Sequence, residues 1–253
     1  MGTTEAQASN VLTTGGFRTM VDTPQRVLVV IPHPNDSELW CAGSVAKWIG
    51  EGAIVRYVVC TDGSRGTSDP EVSRPDLAAT REREQADAAR ELGVHELVAL
   101  GRPDGGLEDT DDFRRELVRQ IRQVRPDVVV CPEPYRKNLA WHRDNRITGQ
   151  VTLDAVFPCA RDHLHFEELW RDEGLEPHKT GTVLFWGTET PNTFIDIGES
   201  IAFKVRAVKV NKSRLTGQSS EEIDGYIQHQ AREGAGDSGA SYGEAFRSIT
   251  FRT

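Results

Sequence analysis

Short β-branched runs separated by helix-length segments are what most constrain this chain. The runs are RVLVVI (26–31), AIVRYVVC (53–60), ELVALG (96–101) and VVVC (128–131). Continuous apolar runs of this length fit strands buried on both faces. Between them, residues 39–50 put Ala42, Val45, Ala46 and Ile49 on one helical face. LAATREREQADAARELG reads as a helix that stops at Gly93, and DTDDFRRELVRQIRQV aligns Phe113, Leu117, Ile121 and Val124. Strands alternating with helices predict an α/β fold, a Rossmann-like parallel sheet with helices on both faces. After about residue 160 the pattern changes. TVLFWG (182–187) and TFIDIG (193–198) read as strands, IAFKVRAVKV (201–210) as a helix, and the tail from 217 is polar. The expected organisation is a flexible N-terminal arm over 1–24 and one domain over 25–253. That domain has a Rossmann-like half to about 160 and a small C-terminal α/β cap and tail over 161–253.

The 253 residues are 37% hydrophobic and 27% charged, ordinary for a water-exposed globular chain. A formal net charge of -9 argues against nucleic acid as a partner. No apolar run is long enough to span a bilayer, and the N-terminus lacks the basic and apolar regions of a signal peptide. A cytoplasmic location without a membrane partner is therefore expected. Cys41, Cys60, Cys131 and Cys159 are widely spaced and read as reduced, buried side chains.

In an open parallel sheet, ligands bind beyond the carboxyl ends of the strands. His33, Asn35, Asp36 and Glu38 stand at such an end, and loops 61–66, 101–105 and 131–135 should border the same crevice. No G-x-G-x-x-G follows the first strand, and there is no P-loop and no G-x-S-x-G elbow. A histidine and an aspartate three positions apart on a tight turn can converge on one cation. A second cluster, WHRDNR (141–146), holds His142, Asp144 and Asn145 just before a helix-like segment. Two such turns are the arrangement expected of a mononuclear hydrolytic site acting on a small molecule.

These residues resemble the LmbE-like, or PIG-L, deacetylase family. The family pattern H-P-D-D-x-E appears as His33-Pro34-Asn35-Asp36-Ser37-Glu38, and H-x-D-H appears as His142-Arg143-Asp144-Asn145. TDGSRG, TREREQ, GRPDGGLED and RPDVVVCPEPYR are further similar landmarks, and the likeness covers roughly residues 25 to 215. The resemblance implies a zinc-dependent hydrolase that removes acyl groups, usually acetyl, from amino-sugar-like amides. It implies His33, Asp36 and the residue at 145 as metal ligands, and the residue at 35 as general base. It implies His142 as the group that polarises the carbonyl, with Asp144 orienting it. It also implies Glu38, Arg81 and Asp104 as substrate contacts, and a homo-oligomer among the expected states.

Asparagine stands at 35, at 145 and at 211, where the family often has a further histidine. An amide has no proton equilibrium to offer as a base, and its oxygen is a poorer zinc ligand than imidazole. Weakened or lost zinc binding is one consequence. The readings left open are a working hydrolase with a rewired site, a homologue that only binds a ligand or does other chemistry in the same pocket, and a sequence altered to trap substrate. In the first, Glu38, Glu133, Asp62 or His142 would supply the base. Trp186 and Asn192 have the types that stack on and bond to sugars, whereas His163 and His165 read as surface or packing residues.

Overall fold

The computed structural model describes residues 11–14, 17–20, 22–138 and 140–251. Among them, one nine-stranded sheet contains β1 (Val11–Thr14), β2 (Phe17–Met20), β3 (Arg26–Ile31), β4 (Ile54–Thr61), β5 (Glu96–Arg102), β6 (Val128–Pro132), β7 (Thr182–Trp186), β8 (Thr193–Asp196) and β9 (Gly243–Thr250). The spatial order is β1-β2-β8-β9-β7-β6-β3-β4-β5. Strands β5, β4, β3, β6 and β7 run parallel, and β9 pairs antiparallel with both β7 and β8.

The apolar runs form central strands because both of their faces are covered. Val27, Val29 and Ile31 of β3 pack with Ala42, Val45 and Trp48 of α2 (Ala42–Gly50), and with Ala89 and Leu92 of α3 (Arg74–Leu92). Leu28 and Val30 point the other way, to Phe113, Leu117 and Ile121 of α4 (Asp111–Val124) and Val151 and Ala155 of α5 (Arg143–Val156). Strand order reverses at β3, with β4 and β5 on one side and β6 and β7 on the other. That switch point opens the crevice in which such sheets hold ligands. The α/β class and the largely parallel sheet are as expected. All four cysteines are free and buried. Among the described residues no helix is long and apolar enough to cross a membrane.

Three expectations need correction. The helix expected over 39–50 is broken at Cys41 into α1 (Asp36–Trp40) and α2. The carboxylate of Glu244 accepts the N–H groups of Gly43 at 3.0 Å and Ser44 at 2.8 Å, satisfying the open amides of a second helix start. Part of the segment expected as a flexible arm is strand. β1 and β2 pair antiparallel and β2 joins β8, because edge pairing uses backbone groups and needs no apolar side chains. Residues 1–10 of that segment lie outside the described residues. Finally, the C-terminal α/β part continues the main sheet through β7, β9 and β8 instead of capping it. Beyond a short α6 (Glu167–Arg171), its helices α7 (Ile201–Val210) and α8 (Ser220–Ala235) contribute Ala207 and Ala231 to the core on the α2 and α3 face.

Candidate active site

Beyond β3 the chain turns back sharply. The Asp36 N–H donates to the His33 carbonyl at 3.2 Å, and Asn35 adopts a left-handed conformation with φ 79°. Asparagine enters this region more readily than most side-chain-bearing residues. The turn brings Asp36 Oδ2 to 3.1 Å from the His33 N–H and 3.0 Å from its Nδ1. From α3, Gln85 Oε1 accepts the Asn35 N–H at 2.7 Å.

The other edge of the His33 ring faces two more carboxylates. Nε2 lies 3.3 Å from Asp104 Oδ1 and 3.3 Å from Asp144 Oδ2. Asp104 follows β5, and its Oδ2 accepts the Arg65 N–H at 3.0 Å from the loop after β4. Asp144 is fully buried at the start of α5, with its oxygens accepting N–H groups of Gly105 at 2.7 Å and Leu107 at 3.2 Å. His142 caps α5, its Nδ1 accepting the Asp144 N–H at 3.2 Å. Its exposed ring stands edge-on to His33, with centroids 4.5 Å apart. His33, Asp36, Asp104, His142 and Asp144 therefore converge from three separate loops.

Burial opposes a charge on His33, but hydrogen bonds to Asp104, Asp144 and Asp36 outweigh it and push its pKa up to about 11. Burial likewise raises Asp104, but the His33 ring and the Arg65 N–H overcome it and bring it down to about 2. Asp144 is lowered for the same reason, burial being outweighed by His33 and the Gly105 N–H. One imidazolium among three carboxylates leaves the crevice net negative, a setting suited to a cation. Ligand atoms of His33, Asp104 and His142 lie within 4.8 Å of one another, a possible three-residue metal site. In the turn that carries His142, Asn145 is buried, its N–H donates to the His142 carbonyl at 3.1 Å and its Oδ1 has no hydrogen-bond partner. Asn35 Oδ1 is also buried and unpartnered.

Two of the expected substrate contacts are placed differently. Glu38 is fully buried beneath the turn, accepting the Gln85 Nε2 hydrogen at 3.0 Å. Burial pushes its pKa up to about 7 against that hydrogen bond. Arg81 is 2% exposed, and its guanidinium donates to the carbonyls of Gly63 and Gly66. A Cβ at Gly66 would come within 2.7 Å of that guanidinium. Glu38 is thus bonded to α3, and Arg81 braces the loop after β4. Among the expected base candidates, Glu133 is ion-paired with Arg247, and Asp62 accepts the N–H groups of Ser64 and Asp104. Asn211 donates its amide to the Ala207 carbonyl. Trp186 is fully buried and has no surface to offer a sugar, whereas Asn192 is exposed with its side-chain amide bonded to the Ser248 backbone.

Sequence reading missed Gln85 and the Arg65 N–H. Gln85 stands four residues after Arg81 on the same helical face, a spacing that could have flagged it within the charged run. It also missed Trp141, whose Nε1 donates to the Glu133 carbonyl at 2.9 Å while the Arg136 guanidinium lies 4.4 Å from its ring centroid.

Fold and site together define a Rossmann-like α/β protein with a histidine–carboxylate cluster at its switch point, which includes a possible three-residue metal site. The PIG-L family model, described as GlcNAc-PI de-N-acetylase, matches residues 28–156. The chain is 34% identical over 225 residues to diacetylchitobiose deacetylase of Thermococcus kodakarensis, covering 89% of this chain and 83% of that protein. This chain belongs to the PIG-L family. Over 139 residues it is 36% identical to a 1D-myo-inositol 2-acetamido-2-deoxy-alpha-D-glucopyranoside deacetylase of Mycobacterium avium, covering 46% of each. Among solved structures, N,N'-diacetylchitobiose deacetylase from Pyrococcus horikoshii superposes with a TM-score of 0.83 at 29% identity, covering 90% of this chain and 84% of that one.

Proposed function

We propose that this chain is a metal-dependent amide hydrolase that removes the acetyl group from an N-acetylated, amino-sugar-like small molecule. The observation that carries the reading is His33 held between Asp36 on one edge and Asp104 and Asp144 on the other, beside His142. Relatives whose names specify deacetylation of diacetylchitobiose and of a 2-acetamido sugar support the substrate class.

The residues suit a divalent ion. An amide oxygen left unpaired in a buried site costs about 1–3 kcal/mol, which ligation relieves, and Asn145 Oδ1 is such an atom. We assign zinc to His33, Asp36 and the Asn145 amide oxygen, a weaker set than one with a second imidazole. Bound there, the ion supplies Lewis acidity, polarising a carbonyl and acidifying water. Asp104 and Asp144 then fix the His33 ring from its far edge, as outer carboxylates do for ligating histidines. His142 accepts at Nδ1 from the Asp144 N–H, so its neutral form carries the proton at Nε2. That N–H is free to donate to the substrate carbonyl oxygen and to stabilise the oxyanion that forms there. Asn35 orients water but takes no proton from it, so turnover is slower than with a carboxylate at that position.

The test is acetate release from N-acetylglucosamine and diacetylchitobiose, with zinc and after chelation, alongside elemental analysis. Zinc-dependent release supports the reading, and release indifferent to chelation contradicts it.

A further inference from the structure

A cavity of about 250 Å³ lies beside Asn35, one residue from Asp36. Leu39 of α1, Val208 of α7, Leu215 of the following turn, and Ile223 and Ile227 of α8 line it. Val208, Ile223 and Ile227 are buried together there, with Leu39 and Leu215 packed against them. Exposed Arg214, Gln218 and Tyr226 form the outer rim. In the wall sits Asn35, only 1% exposed, with its Oδ1 unpartnered. An apolar floor with a polar side chain in one wall is the usual makeup of a small-molecule pocket. The methyl of an acetyl group would fill little of it.

We infer that this cavity is a subsite for an apolar substrate group larger than that methyl, seated beside the scissile amide. Asn35 Oδ1 supplies an acceptor for the amide N–H, and the group beyond it packs on Leu39, Leu215, Ile223 and Ile227. This inference rests on the amide-hydrolase reading above. The apolar group has two chemical sources, a longer acyl chain on the amide nitrogen or an apolar aglycone on the sugar.

The experiment compares kcat/KM of the zinc-supplemented full chain on two series. One is N-acetyl-, N-butyryl- and N-hexanoylglucosamine. The other is methyl and hexyl N-acetylglucosaminide. One series gains about fourfold for each methylene buried until the cavity is full, and the series that gains identifies the source. Leu215→Trp, which fills the cavity from its half-buried turn, brings the long-to-short ratio back toward one. Because the ratio is taken within each variant, partial loss of folded protein cancels. Flat or falling ratios in both series, with N-acetyl substrate still turned over, overturn the inference and leave the hydrolase reading standing. If no compound is turned over, the hydrolase reading fails, and calorimetric titration of the same compounds decides the subsite. Tighter binding of a long-chain compound that Leu215→Trp abolishes upholds the subsite, and equal affinities overturn it.

Discussion

The Asp144 carboxylate touches His33 Nε2 at 3.3 Å while accepting the Gly105 N–H at 2.7 Å through the same oxygen. A single buried side chain thus ties the start of α5 to the loop after β5 and to the histidine of the first motif. Replacing it by alanine leaves two backbone N–H groups without their acceptor and the His33 Nε2 edge with Asp104 alone. Asp144→Ala should lower stability by on the order of 3 kcal/mol. It should also weaken zinc by about 10–100-fold, the usual effect of removing an outer partner. Thermal unfolding and a competitive zinc titration check both, and unchanged zinc affinity would show that Asp144 does not support the ligand.

Asn35 already has the backbone conformation and the Gln85 hydrogen bond that hold it in the turn. Asn35→Asp therefore adds a base with little change in shape. The kcat for deacetylation should rise about 10²-fold or more, within the usual range for general-base catalysis, and an acidic limb should enter the pH profile of kcat/KM. An unchanged kcat would mean that proton removal does not limit this enzyme.

The strands were legible because β-branched runs covered on both faces carry no competing periodicity, as in β3. The His33–Asp36 turn was legible because the ligand spacing is local. The directions of Glu38 and Arg81 were not, since their partners are set by tertiary contacts with Gln85 and with the 63–66 backbone. Helix α8 was hidden by its polarity, although Ile223, Ile227 and Ala231 recur every four residues and Ser219 and Glu222 form a capping box. β1 and β2 were hidden because each is only four residues long, and such short strands are placed by backbone pairing with neighbours distant in sequence.

Without metal, His33 is raised from 6.5 to about 11. A raised histidine contributes stability that is complete below pH 6.5 and is lost as pH climbs toward 11. Asp104 is lowered from 3.8 to about 2, so its contribution is present above pH 3.8 and is lost as pH falls toward 2. The Tm of the metal-free chain should therefore decline from neutral to alkaline pH, and His33→Gln should flatten that decline. Zinc must displace the proton from His33, so its affinity should rise with pH over the same window. A metal-free Tm that climbs between pH 7 and 10 would refute the assigned charge state.

Arg81 clasps the Gly63 and Gly66 carbonyls, and the same loop presents the Arg65 N–H to Asp104. Arg81→Met should cost about 3 kcal/mol through loss of hydrogen bonds from a charged donor. It should also raise KM more than it lowers kcat if Asp104 touches substrate. Urea unfolding and steady-state kinetics separate the two effects, and a fall in kcat alone would place Asp104 outside substrate binding.

The most direct test of the metal assignment is a cobalt or zinc titration of Asp36→Asn beside Asp104→Asn, scored by stoichiometry and by acetate release from an N-acetylated amino sugar. We predict that Asp36→Asn abolishes both, whereas Asp104→Asn keeps one ion per chain at reduced affinity. Full binding and turnover in Asp36→Asn, with loss of both in Asp104→Asn, would contradict the assignment and move the ion to the opposite edge of His33.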